Sequence, residues 1–259
     1  MSTEPGTASY PSRSAELLWG PRGRAGRGPR PGLSRDQIVT AAIAVADRDG
    51  VDALSMRRVA AELRVGTMSL YRYVPGKAEL LDLMLDQVSD PGPGRGPAAG
   101  ADWRQVMADH ARGSRDLYLA HPWLLQVNWC RPVFGPNTLA GVELVIAGLA
   151  GLGLTDRERV TVMIAIDSYV TGFVRNQILY SRAAEETGIS DEEFWATQHP
   201  VLERAMASGD YPELAKLAED SFNAGWEESF EFGLQRLLDG VQALVDARRR
   251  PGYRSGSTA

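Results

Sequence analysis

Apolar positions along this 259-residue chain recur mostly at spacings of three and four, the period of an α-helix rather than the alternation of a strand. From Ser34 to Asp49, the residues Ile38, Ala41, Ala42, Val45 and Ala46 form one stripe, with Ser34 placed to cap the start and Gly50 to end the helix. After Ser55, a second cap, Met56, Val59, Ala60 and Leu63 repeat at i, i+3, i+4 and i+7. Beyond Arg64-Val65-Gly66 a third pattern runs from Thr67, its expected cap, to Tyr73, with Leu70 and Val74 facing inward and Pro75-Gly76 as the stop. Lys77 opens a fourth helix whose inner row is Leu80, Leu81, Met84, Leu85 and Val88. The remainder predicts helices over 103–120, 136–152, 156–182, 191–208, 212–220 and 221–249, with a short turn starting at Pro122. The middle of the 156–182 segment is apolar on nearly every side, so it must be covered on every side. Alternating β-branched runs are scarce. The expected fold class is all-α.

Two helices joined by three or four residues with a glycine at the corner form a helix-turn-helix. The second one is too short to exist for packing alone. Its outward positions carry Thr67, Met68, Ser69, Tyr71, Arg72 and Tyr73, groups that can donate to phosphate oxygens or touch base edges. Lys77, at a helix start, supplies an ammonium beside free backbone N–H groups, a suitable clamp for phosphate. The net charge of −5 looks wrong for a DNA binder until its distribution is read. Between Arg22 and Lys77 there are eleven basic residues against five acidic ones, so the rest of the chain is strongly acidic. Residues 1–32, rich in Pro, Gly, Ser and Arg, read as a disordered arm. Its Arg22, Arg24, Arg27 and Arg30 suit either minor-groove insertion or nonspecific phosphate contact.

Enzymatic chemistry finds no foothold. His110, His121 and His199 lie far apart, and no H-E-x-x-H, P-loop, G-x-S-x-G or C-x-x-C is present. The lone Cys130 reads as a small buried hydrophobe and cannot form an internal disulfide, in keeping with a reducing cytoplasm. No apolar run reaches the roughly 18–20 residues of a membrane span, and the N-terminus lacks the apolar core of a signal peptide. No metal site and no cofactor are expected. The body reads instead as a receptor: Trp103, Met107, His110, Trp123, Asn128, Trp129, Tyr169, Phe173 and Gln177 fall on inner helix faces that suit one cavity, an aromatic wall with a few orienting polar groups. The same positions also suit an ordinary core.

Ser34 to Leu85, about one fifth of the chain, closely resembles the DNA-binding domain of the tetracycline-repressor (TetR/AcrR) family of bacterial regulators. The resemblance rests on I-V-T-A-A-I-A-V-A-D-R-D-G, L-S-M-R-R-V-A-A-E-L, L-Y-R-Y-V and K-A-E-L-L. It implies a helix-turn-helix domain over 33–79, a ligand-binding and dimerisation domain over 80–250, and a disordered tail over 251–259. Ser55 and Arg57 then join the DNA-contacting set, while Arg58 is expected to be a solvated or backbone-facing charge. The fourth helix would link head and body, and the apolar helix after Thr155 would meet its twin in a homodimer. Two recognition helices would enter successive major grooves of a near-palindromic operator, and a small-molecule effector would release them. Tetracycline-binding relatives place metal–drug contacts near Val127 to Pro132. Val127 and Cys130 stand here for their His and Thr, which argues against magnesium–tetracycline and for a mostly apolar effector. A repressor is the expected role. An activator, an effector-independent DNA binder, and a helical protein that has lost the DNA role are the rivals.

Overall fold

The computed structural model describes residues 11–20, 33–92, 101–127, 133–218, 221–222 and 224–249. Every regular element among them is helical. The chain forms two compact units, residues 1–164 and 165–259.

The first unit opens with a helix that the composition did not announce. Residues 1–32 were expected to be disordered, yet Pro11–Trp19 is α1. It packs against α5, and its Leu17 and Leu18 cover the edge of the neighbouring core. The Ser14 hydroxyl donates to Asp82, the Arg35 guanidinium to the Leu17 carbonyl, and the Trp19 indole N–H to the Phe134 carbonyl at 3.0 Å. Two leucines with apolar cover available outweigh the Pro, Gly and Arg content around them. The arginine-rich stretch that follows, 21–32, lies outside the described residues, as does the tail over 251–259. Deleting residues 1–20 is expected to cost about 1–3 kcal/mol, the scale of uncovering one or two leucines, as a lower urea midpoint.

Three helices and their successor then build the head. α2 is Arg35–Asp49, closed at its start by a reciprocal capping box between Ser34 and Gln37 and at its end by Gly50 at φ 81°. A 3-10 turn, Val51–Ala53, leads to α3, Met56–Glu62, α4, Thr67–Leu70, and α5, Lys77–Val88. Ile38, Ala42, Val45, Leu54, Val59, Leu70, Val74, Leu80 and Met84 form its core. Trp123 and Leu124, from the 3-10 turn Pro122–Gln126 that follows α6 (Trp103–Ala120), are packed into the same core. The head is therefore not closed off at residue 79; it shares its interior with residues of the body.

α7, Pro136–Gly148, shorter than expected, has Gly135 at its N-cap and so no capping side chain of its own. Asp86, on α5, supplies the acceptor instead. Its Oδ1 accepts from the N–H groups of Asn137 and Thr138 at 3.0 and 2.9 Å and from the Thr138 hydroxyl at 3.1 Å. α8, Asp156–Thr187, starts at Thr155, which shares a reciprocal cap with Glu158, and runs one turn longer than its expected end.

In the second unit, α8 residues Tyr169 and Phe173 pack against Phe230 and Trp226 at centroid distances of 5.3 to 5.6 Å. Trp226 and Phe230 belong to α10, Trp226–Arg249, which begins five residues later than its periodicity suggests. Between them lie α9, Asp191–Ala207, which runs through Pro200, and a single 3-10 turn, Leu214–Lys216, where a longer helix was expected.

Candidate nucleic-acid interface

The site is built on α3, α4 and the turn that follows. Ser55 is the N-cap of α3, its hydroxyl oxygen accepting the Arg58 N–H at 3.2 Å. At the far end Val65 N–H bonds to the Ala60 carbonyl and Arg64 N–H to that of Ala61, at 2.9 and 3.1 Å, a Schellman closure. The left-handed residue it needs is Arg64, at φ 55°. The corner glycine is not the pivot: Gly66 sits at φ −70° and is the N-cap of α4, so Thr67 is the first helical residue rather than the cap. α4 itself stops at Leu70. The N–H groups of Tyr73 and Val74 both turn back onto the Leu70 carbonyl, at 2.8 and 2.9 Å, and Tyr71 to Tyr73 form a turn instead of the expected second half of a helix. Two demands end it there: Val74 must return to the core, where it is fully buried, and Pro75 disfavours helical geometry in the residue before it.

Leu70 is the anchor. It is fully buried, and it aims the rest of the turn outward. Met68 is 77% exposed and Tyr71 44%, with Arg57, Arg72 and Lys77 also exposed. Thr67, Ser69 and Tyr73 are half-buried, and Tyr73 leans on the head core. Four arginines of the head divide into two sets. Arg48 pairs with Glu62 and Asp49, and Arg58 with Asp49, at 3.0 to 3.1 Å, which ties the end of α2 to α3. Arg58, expected to be a solvated or backbone-facing charge, is instead paired with the Asp49 carboxylate. Arg57 and Arg72 have no carboxylate partner among the described residues. Lys77 folds back so that its ammonium donates to the Val51 carbonyl at 3.2 Å in a part-buried hydrogen bond, while the residue as a whole is exposed. The result is a one-turn helix presenting hydroxyls, an aromatic ring and unneutralised guanidinium groups, a surface suited to phosphates and base edges.

The chain matches the sequence model described as "Bacterial regulatory proteins, tetR family" over residues 38–84 and that of "Tetracyclin repressor-like, C-terminal domain" over residues 96–245. It is 49% identical over 248 residues to the HTH-type transcriptional repressor DrrR1 of Streptomyces coeruleorubidus, covering 96% of this chain and 92% of that one. The chain belongs to the TetR family. An HTH-type transcriptional regulator of Saccharopolyspora erythraea is 36% identical over 83% of this chain and 87% of its own. Among solved structures, ActR of Streptomyces coelicolor in complex with actinorhodin superimposes with a TM-score of 0.65 at 30% identity, covering 83% of this chain and 99% of that one. This TetR-family protein is accordingly a ligand-responsive, DNA-binding transcriptional regulator, with an N-terminal helix-turn-helix and a C-terminal helical domain.

The residues expected to meet an effector are placed as follows. In the first unit, Trp103 and Met107 are buried and His110 half-buried on α6. Trp123 is 1% exposed inside the head core, and its indole N–H donates to Asp47 at 2.7 Å. Asn128 and Trp129 lie outside the described residues. In the second unit Tyr169, Phe173 and Gln177 are half-buried on α8. The Tyr169 hydroxyl donates to the Phe230 carbonyl at 2.8 Å, and burial, with the Glu231 carboxylate, raises its pKa above the ordinary phenol value. It stays a neutral donor. A cleft of about 260 Å³ between α1, α2, α5 and the start of α7 is lined by Leu17, Val39, Leu83 and Asp86 among others, and by none of those nine residues. Asp47 and Asp86 escaped the sequence reading. One signal for Asp86 was available: a helix opening Gly135-Pro136 has no capping side chain, so an acceptor must come from elsewhere.

Among the described residues no helix is long and apolar enough to cross a membrane, and no group of three or more His, Cys, Asp or Glu could hold a metal ion.

Proposed function

We propose that this regulator is a cytoplasmic, homodimeric repressor without catalytic activity, released from a near-palindromic operator by a small, mostly apolar effector. The observation that carries the DNA assignment is the division of charge in the head: Arg48 and Arg58 are paired with carboxylates, whereas Arg57 at the start of α3 and Arg72 just after α4 are not. In this reading Thr67 and Arg72, with Met68 and Ser69, face base edges. Tyr71, Tyr73, Lys77, Arg57 and the Ser55 hydroxyl proton face phosphates.

A second copy is proposed to cover apolar surface that one chain leaves bare. Phe232 on α10 is 65% exposed, and Leu179 and Tyr180 on α8 are exposed with it. A twofold axis then sets two α4 helices one helical turn of DNA apart, about 34–36 Å. For the effector, each unit is a candidate by itself: Trp103, Met107 and His110 in the first, with Asn128 and Trp129 assigned by sequence alone, and Tyr169, Phe173 and Gln177 in the second. ActR holding actinorhodin is in keeping with a bulky ligand in such a body. Release follows if the effector binds better to the arrangement of heads that misses the operator.

The test is random-site selection with the full-length protein, followed by gel shifts of variants. Arg72→Ala is expected to cost about 1–3 kcal/mol and to relax base preference at one position of each half-site. Lys77→Ala and Tyr71→Phe are expected to weaken all duplexes alike, with the Lys77 change lowering the salt slope by about one. Failure to select any motif, or an unchanged slope for Lys77→Ala together with unchanged affinity for Arg72→Ala, would refute the assignment.

A further inference from the structure

α5 is one route between the head and the rest of the first unit; a second route bypasses it. Asp47 lies in the last turn of α2, and a single oxygen, Oδ1, receives two contacts from 74 and 76 residues away. The Trp123 indole N–H donates to it at 2.7 Å, and His121 Nδ1 lies 2.7 Å from it. A carboxylate can only accept, so the hydrogen between His121 and Asp47 is on the imidazole. His121 is the residue that closes α6: its backbone N–H bonds to the Leu117 carbonyl at 2.9 Å, and it is the C-cap. The two rings meet edge to face at 6.2 Å, and Trp123 is fully buried in the head core beside Leu124.

The next two residues of α2 face the other way along the same turn. Arg48 and Asp49 grip Glu62 and Arg58 of α3, the first helix of the helix-turn-helix. One helical turn therefore holds the end of α6 with Asp47 and α3, on which α4 is mounted, with Arg48 and Asp49. A helical turn is stiff, so a displacement of its Asp47 side is carried to its Arg48–Asp49 side rather than absorbed.

We infer that Asp47 is a coupling residue: through His121 and Trp123 it fastens the C-terminal end of α6 to α2, and by this latch α6, which carries Trp103, Met107 and His110, exchanges strain with the DNA-reading helices. The inference rests on the proposed DNA interface. Coupling between sites is reciprocal, so DNA binding at α4 must be felt at the end of α6. That permits a test needing no knowledge of the effector.

Amide hydrogen exchange is followed by mass spectrometry on the full-length protein, with and without the duplex recovered by random-site selection. In the wild type, the duplex is expected to slow exchange over residues 55–77 and also, by about fivefold or more, over 117–125. Asp47→Ala is expected to keep the first effect and reduce the second below about twofold, the level of a broken coupling. Asp47→Asn, which retains an oxygen for the indole, is expected to restore most of it; a purely structural loss of packing would not follow that order. Should Asp47→Ala fail to fold, His121→Phe combined with Trp123→Phe removes both donors, keeps an aromatic ring at each position and leaves a partly exposed carboxylate behind. Slowing over 55–77 without slowing over 117–125 in the wild type overturns the latch alone, as does wild-type slowing over 117–125 in the variants that lack the contacts. Absence of slowing over 55–77 overturns the DNA interface, and the latch with it.

Discussion

Leu70→Ala is expected to abolish operator binding and to destabilise the protein by about 2–5 kcal/mol, the range for emptying a fully buried leucine site. Few positions in so short an element carry so much. α4 has a single turn, far below the length at which a helix holds itself together in water. Its geometry comes from Leu70, fully buried, and from the Leu70 carbonyl, which closes the following turn by accepting both Tyr73 and Val74 N–H groups. A cavity at that point removes the reason for Met68, Tyr71 and Arg72 to face outward together. Urea denaturation gives the stability change, and a gel shift at a protein concentration well above the wild-type Kd, at a temperature where the variant is still folded, gives the binding loss. Full wild-type affinity in a folded Leu70→Ala protein would show that the surface is arranged by something other than its anchor.

Asp86→Ala is expected to cost about 3 kcal/mol, the order of a lost charge-assisted hydrogen bond together with orphaned donors. Asp86 is 5% exposed, and α7 has no other side chain to cap it. Both free N–H groups at the start of α7 point to the same carboxylate oxygen, a negative charge at the positive end of a helix. Gly135 belongs to the same joint. A Cβ built there would stand 2.3 Å from the Asp86 carboxyl, so Gly135→Ala must displace that carboxylate and is expected to reproduce the loss. Asp86→Asn, which keeps one acceptor oxygen, should lie between the wild type and alanine. Thermal melts of the three variants check the order. Equal melting temperatures for Asp86→Ala and the wild type would remove Asp86 from the capping role.

Much of this architecture was legible in local spacing. Ser34 with Gln37, Thr155 with Glu158, and the i, i+3, i+4 rows of α2 and α3 place their partners within one or two turns, where the backbone itself guarantees contact. The helix-turn-helix was legible for the same reason, as was the surplus of cations around it. Its corner was not. The left-handed residue is Arg64 rather than the nearby glycine, because the Schellman bonds of α3 select the position and Gly66 is needed only as an extended N-cap. The helical turn at Pro11–Trp19 was hidden by surrounding composition, since the cover that stabilises it comes from α5.

The amino-acid order by itself determined an all-helical chain, a family, and a basic head ending in a short polar-aromatic turn. Tertiary structure alone decided which of those charges remain available and which aromatic rings are core. Arg58 and Arg57 are neighbours, yet only Arg58 finds Asp49, and Trp123, which resembles a pocket residue by type, belongs to the interior of the head through Asp47. The reason is range. Periodicity encodes contacts a few residues apart, whereas the pairing of a carboxylate with a donor some 75 residues away depends on how whole helices pack, and no local pattern records that.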